Sequence, residues 1–96
     1  MKMKTLFVLG KRWFDRVNGN TYHSAGLYIN GEFYKKIDCK YGYGDHYLQS
    51  AKELLFEDKI IKASENSRYT FLYTYCNDKD IKFCYDVVDV QRKKDL

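Results

Sequence analysis

Asn18-Gly19 and Asn30-Gly31 constrain the first half of this chain more than any other feature. Both residues of an Asn-Gly pair tolerate positive φ, which a type I′ turn demands at its two central positions, so each pair predicts a β-hairpin. The flanking runs are Thr5–Arg16, Thr21–Ile29 and Glu32–Asp38, with Val17-Asn18-Gly19-Asn20 as the first turn. They predict a three-stranded antiparallel meander. If both loops have two residues, Val17 faces Asn20 and Ile29 faces Glu32, and alternation sorts the side chains onto two faces. One collects Phe7, Leu9, Trp13, Tyr22, Ser24, Tyr28, Phe33 and Ile37, with Lys11 and Lys35 towards its margin; it is the more apolar and is the expected core face. The other collects Val8, Arg12, Phe14, Arg16, Thr21, His23, Ala25, Leu27, Tyr34, Lys36 and Asp38, a mixed set expected to stay exposed. In this register His23 lies between Phe14 and Asp38.

The stretch Tyr41–Leu55 changes period. Tyr47, Leu48, Ala51, Leu54 and Leu55 form a single apolar stripe at helical spacing. Asp45 stands where a short carboxylate caps a helix, and Gly42 and Gly44 allow a sharp approach. Glu57-Asp58-Lys59 interrupts the stripe, so the helix is expected to end near Phe56, with Lys59–Ser67 as a connection anchored by Ile60 and Ile61. Tyr69–Cys76 and Ile81–Val90 both alternate, which predicts a second hairpin around the polar turn 77–80. A two-residue loop pairs the row Tyr69, Phe71, Tyr73 and Tyr75 with the Lys82 row. A three-residue loop sets both aromatic rows on one face and brings Cys76 near Cys84, which packs better. The expected fold is α+β: an antiparallel sheet of about five strands in the order β-β-β-α-β-β, with one helix on one face. Residues 1–91 read as one domain and 92–96 as a basic tail, frayed around Arg92-Lys93-Lys94.

Composition narrows the function classes. Forty-five per cent hydrophobic residues mark a globular chain, not a disordered one. Ten tyrosines suit a thin core with wet edges or a contact surface, and the absence of proline leaves turns to Gly, Asn and Asp. A net charge of +4 permits an acidic or phosphate-bearing partner without demanding one. The apolar run after Met1-Lys2-Met3-Lys4 is too short for a signal peptide, and no run spans a membrane. Cys39, Cys76 and Cys84 lack paired spacing, which fits free thiols in a reducing cytoplasm. No Cys-x-x-Cys or His-x-x-x-His arrangement points to a metal, and no cofactor motif is present.

Three constellations bear on function. His23 and His46 each neighbour polar groups, and a carboxylate beside a histidine can fix its tautomer for proton transfer. Asp38 across the strands from His23, and Asp45 beside His46, are the candidate partners in a shared polar corner. No nucleophile is placed beside either histidine, so surface histidines are the plainer reading and no catalytic residue is assigned. Gly42-Tyr43-Gly44 superficially resembles a phosphate loop, but lacks its third glycine and Lys-Ser/Thr, and Asp45 would repel phosphate; a structural turn is the better reading. Arg12, Phe14, Arg16, Tyr34 and Lys36 combine cations with rings, as nucleic-acid-binding sheets do, against the plainer reading of an ordinary solvated face. Tyr69, Tyr73 and Tyr75 fit either a core edge or a contact patch.

Two segments, Trp13-Phe14-Asp15-Arg16-Val17-Asn18-Gly19-Asn20-Thr21-Tyr22-His23-Ser24 and Tyr41-Gly42-Tyr43-Gly44-Asp45-His46-Tyr47-Leu48, resemble small proteins encoded by bacteriophages and related mobile elements. That group carries no assigned activity. The resemblance implies a setting, the cytoplasm of a bacterial host, and a manner of working. Such proteins often act in host takeover or counter-defence, CRISPR inhibition included, by binding a host protein or nucleoprotein. A nucleic-acid-binding module is the alternative expectation, and a histidine-dependent hydrolase or nuclease ranks behind both.

Overall fold

Asn30 and Gly31 both take positive φ, 53° and 82°, as the predicted turn requires. They belong to a computed structural model that describes residues 3–42 and 44–96, leaving Met1, Lys2 and Tyr43 outside the described residues. The expected meander is present as β1 (Thr5–Asp15), β2 (Asn20–Ile29) and β3 (Glu32–Tyr41). Ile29 faces Glu32 as expected. The first turn is longer, because Asp15 faces Asn20 and 16–19 form the loop. Asp15 explains it: its carbonyl accepts the Gly19 N–H at 2.7 Å, and its carboxylate accepts the N–H groups of Val17 and Asn18 and the Asn18 side chain. The register slides by two residues, so each side chain keeps its face but changes partner, and His23 faces Arg12 instead of Phe14. Between β2 and β3 two register shifts intervene. They bring Ile37 opposite Ala25 and Lys40 opposite His23, so Asp38 does not face His23 as expected.

The helix follows as α1 (His46–Glu57), one residue past the predicted end. Asp45 does occupy its N-cap position, but the side chain makes no capping hydrogen bond. After it the chain departs from expectation. α2 (Ala63–Arg68) and α3 (Leu72–Asp78) precede β4 (Lys82–Val90), and a single 3-10 turn covers Lys93–Asp95. Tyr69–Cys76 is therefore not a strand. Leu72, Tyr75 and Cys76 are buried, the spacing of one helical face, with Tyr69 buried ahead of them, and this stripe overrides the period-two alternation. The sheet has four strands in the order β3-β2-β1-β4, with β4 parallel to β1. It is mixed, not antiparallel, because a parallel neighbour needs a long crossover and the helical segments supply it. Cys76 is buried in the helical layer and Cys84 is exposed on β4, so they form no facing pair.

The helices cover the face opposite to the one expected. Leu6, Val8, Leu27, Ile29 and Ile37 on the sheet pack with Tyr47, Ala51, Leu55 and Ile61. Shape decides this. Short aliphatic side chains let α1 approach closely, and at Gly10 the approach is closest: a Cβ there would lie 2.5 Å from the Tyr47 ring. The larger rings could not be covered so tightly, and Tyr and Trp keep a polar tip that tolerates water. They line the helix-free face.

Candidate functional site

Two cross-strand aromatic rows run over that helix-free face. Phe7, Tyr28 and Phe33 form one, with ring centroids 5.8 and 5.5 Å apart. Trp13, Tyr22 and Tyr41 form the other, the first pair stacked at 5.9 Å and the second edge-on at 5.7 Å. Register makes the rows, since Phe7 faces Tyr28, Trp13 faces Tyr22, Tyr28 faces Phe33 and Tyr22 faces Tyr41. The ends of the rows are the most open: Phe33 is 59% and Tyr41 61% exposed. Between the rows lie Gly26, flanked by the Tyr28 and Phe33 rings, and the cross-strand pairs Lys11–Ser24 and Gly26–Lys36. Lys36 Nζ donates to the Leu96 backbone oxygen at 2.9 Å, so the segment after β4 reaches across β1 and β2 to β3. In that segment Arg92 pairs with Asp95 at 3.2 Å.

The five cationic and aromatic residues singled out from the sequence separate. Arg12 lies on the helix side, its Nε 2.9 Å from Asp89 and its Nη1 donating to the Gly44 carbonyl at 3.4 Å, so it ties β1 to β4 and to the approach of α1. Arg12, Phe14 and Arg16 line an open cleft of about 690 Å³ at the first hairpin, shared with Asp15 and Asp89. Tyr34 is elsewhere, its hydroxyl donating to Asp58 at 2.6 Å beside the Lys35–Asp58 pair. Lys35 and the Tyr34 hydroxyl together hold the Asp58 carboxyl below its usual range. Lys36 is on the helix-free face. Of Tyr69, Tyr73 and Tyr75, the first and last belong to the core and Tyr73 is exposed.

His23 and His46 do meet, with ring centroids 5.2 Å apart. His23 is buried on the helix side of β2. Its Nδ1 lies 3.2 Å from the Gly42 carbonyl, which can only accept, so Nδ1 carries the proton. Nε2 therefore accepts from the Ser50 hydroxyl at 2.8 Å. Gly42 has φ 152°, and a Cβ there would fall 2.6 Å from the His46 ring. Asp38 and Asp45 are exposed and bond to neither histidine among the described residues. A Ser–His pair is the geometry of an activated nucleophile, but Ser50 is only 2% exposed and His23 1%, and neither lines the cleft at the first hairpin or the one between Tyr73 and Tyr85. The pair pins α1 to the sheet. Ser50 escaped the sequence reading, although its place three residues after Tyr47 on the buried stripe was a usable signal.

Burial pushes the His23 imidazole below its ordinary value; the bond to the Gly42 carbonyl opposes this, and the neighbouring His46 and Lys40 add to the lowering. An unfolded chain thus binds a proton more readily than the folded one at mildly acidic pH. The stability this group contributes is complete above about pH 6.5 and falls as pH drops through the window down to the folded value. Urea denaturation at pH 7.5 and 5.5 is expected to show a lower midpoint at the acidic pH, with the difference reduced in His23→Asn. Equal pH sensitivity in the variant would contradict this. Burial also pushes the Cys76 thiol up to about 12, which keeps it unreactive.

No group of three or more His, Cys, Asp or Glu is placed to hold a metal ion among the described residues, and no helix there is long and apolar enough to cross a membrane. No protein-family model, no curated protein and no solved structure matches the chain.

Proposed function

We propose that this chain is a small non-catalytic binding protein of the host-takeover or counter-defence kind, as phage-encoded CRISPR inhibitors are, made in the cytoplasm of a bacterial host. It holds a host protein or nucleoprotein against the helix-free face of its sheet. The observation that carries the reading is the pair of aromatic rows left uncovered by all three helices. Tyr, Trp and Phe concentrate at the energetic centres of interfaces because they bury much area while losing little rotamer freedom. Here the sheet already holds them rigid. Lys11 between the rows favours an acidic partner surface, while Lys36, also between them, holds the Leu96 oxygen.

The same arrangement supports a second reading, direct binding of single-stranded nucleic acid. Open sheets stack bases on exposed rings while cations meet the phosphates, and the stacked Trp13–Tyr22 pair beside Lys11 has that character. One experiment separates the two. The tagged protein is passed through nuclease-treated lysate of the host, and separately titrated with single-stranded DNA and RNA. A stable, stoichiometric protein complex supports the first reading; no complex with the fold intact contradicts it. Binding to a polymer that weakens roughly 20-fold between about 50 and 200 mM salt, as three phosphate contacts require, supports the second. No binding at the lower salt removes it.

A further inference from the structure

The two edges of the sheet are built differently. β3 carries Glu32, Lys35, Lys36, Asp38 and Lys40 and two register shifts, the devices by which edge strands resist pairing with another chain. β4 has none of the irregularity: nine consecutive residues pair with β1 without a shift. Among the described residues no strand lies on its other side.

Which backbone groups face that free side follows from two contacts. The Lys82 N–H donates to the Lys4 carbonyl at 3.0 Å, towards β1. Alternation then turns Cys84, Asp86 and Val88 inward as well, and leaves Phe83, Tyr85, Val87 and Asp89 with N–H and C=O pointing outward. The Val87 N–H fits this: without a strand partner, it donates to the side chain of its own neighbour Asp86 at 2.8 Å. A second strand docking antiparallel must match outward residues to outward residues, which restricts the registers open to a second copy.

We propose that β4 pairs antiparallel with β4 of a second copy, about a two-fold axis passing beside Cys84. In this register Phe83 and Tyr85 of the two copies exchange hydrogen bonds, and Lys82 of each copy faces Asp86 of the other. Charge complementarity selects it. An axis at Asp86 sets two carboxylates face to face, which is destabilising, and an axis at Tyr85 faces Lys82 with Val88 and Asp86 with Cys84. Only the Cys84 register places both opposite charges across the strands. The same face of each sheet then lies on the same side, so the pairing extends the helix-free surface across both copies. The pairing does not depend on what that surface binds.

Sedimentation equilibrium on the Cys39→Ser protein tests this. A concentration-dependent dimer is expected, and Lys82→Glu is expected to weaken it roughly 10-fold by placing like charges opposite each other. Lys82→Glu with Asp86→Lys restores the pairs in reverse and should recover the dimer. Lys82 and Asp86 are exposed, so neither exchange strains the fold, and circular dichroism confirms it. Cys84 meets its own copy at a Cα separation of about 4.5 Å, within disulfide range, so mild oxidation with diamide should link the copies and Cys84→Ser should abolish the link. A monomer at all concentrations up to about 1 mM, the lower limit of measurable affinity, would overturn the proposal. So would an unweakened Lys82→Glu dimer, or one that the double exchange fails to restore.

Discussion

Tyr47→Ala will destabilise the fold by about 3–5 kcal/mol, the range for removing a large buried ring without full collapse of the site. The ring is 1% exposed, and it rests on Gly10, whose missing Cβ is the space it occupies. Nothing nearby can fill the hole. Leu6, Val8, Ala51 and Leu55 of the same core are already buried, and closer approach of α1 would disturb the His23–Ser50 pin one turn further on. Against a typical total of about 5–15 kcal/mol this is a large share. The melting temperature of a chain this size is expected to fall by roughly 12 °C or more. Thermal unfolding followed by circular dichroism measures it. A loss below about 1 kcal/mol would mean that α1 does not dock over Gly10.

Tyr22→Ala with Tyr28→Ala is expected to have the opposite profile: large in binding, modest in stability. Each ring is central to one aromatic row and touches a ring on either side. Neither contributes to the core between sheet and helices. Centrally placed aromatics at interfaces commonly cost about 2 kcal/mol or more on truncation, roughly 30-fold in affinity each. The double variant should therefore bind the captured partner at least roughly 100-fold more weakly while unfolding as one cooperative transition. Titration calorimetry of the purified complex gives the first number and urea denaturation the second. Undiminished affinity would move the binding surface away from these rows.

Parts of this arrangement could be read directly from residues. The Asn30-Gly31 turn and the stripe from Tyr47 to Leu55 are local signals, complete within a few residues, and both elements stand where they pointed. The parallel pairing of β1 with β4 has no such signal, because no turn joins them and two strands and three helices lie between them along the chain. In Tyr69–Cys76 two periods coexist: Tyr, Phe and Thr favour a strand by propensity, while Leu72, Tyr75 and Cys76 also make a helical face, with Tyr69 buried ahead of it. Packing against α1 chose the second. The inverted sheet faces have a related cause. Counting apolar residues favoured the aromatic side, but α1 needs a surface it can approach closely, and Gly10, Val8, Ala25 and Leu27 provide one. The polar corner was half visible. His23 and His46 were both in view, yet the groups that complete it are Ser50 and the Gly42 carbonyl, neither of which is a charged neighbour.

Site-specific photo-crosslinking tests most directly whether the helix-free face carries the function. A benzophenone side chain is placed in turn at Phe33, Tyr41 and Tyr73, all more than half exposed, the first two ending the aromatic rows and the third on α3. Irradiation in host lysate should yield one partner adduct from positions 33 and 41 and none from position 73. An adduct from position 73, with none from 33 or 41, would place the binding surface on the helical layer and contradict the account.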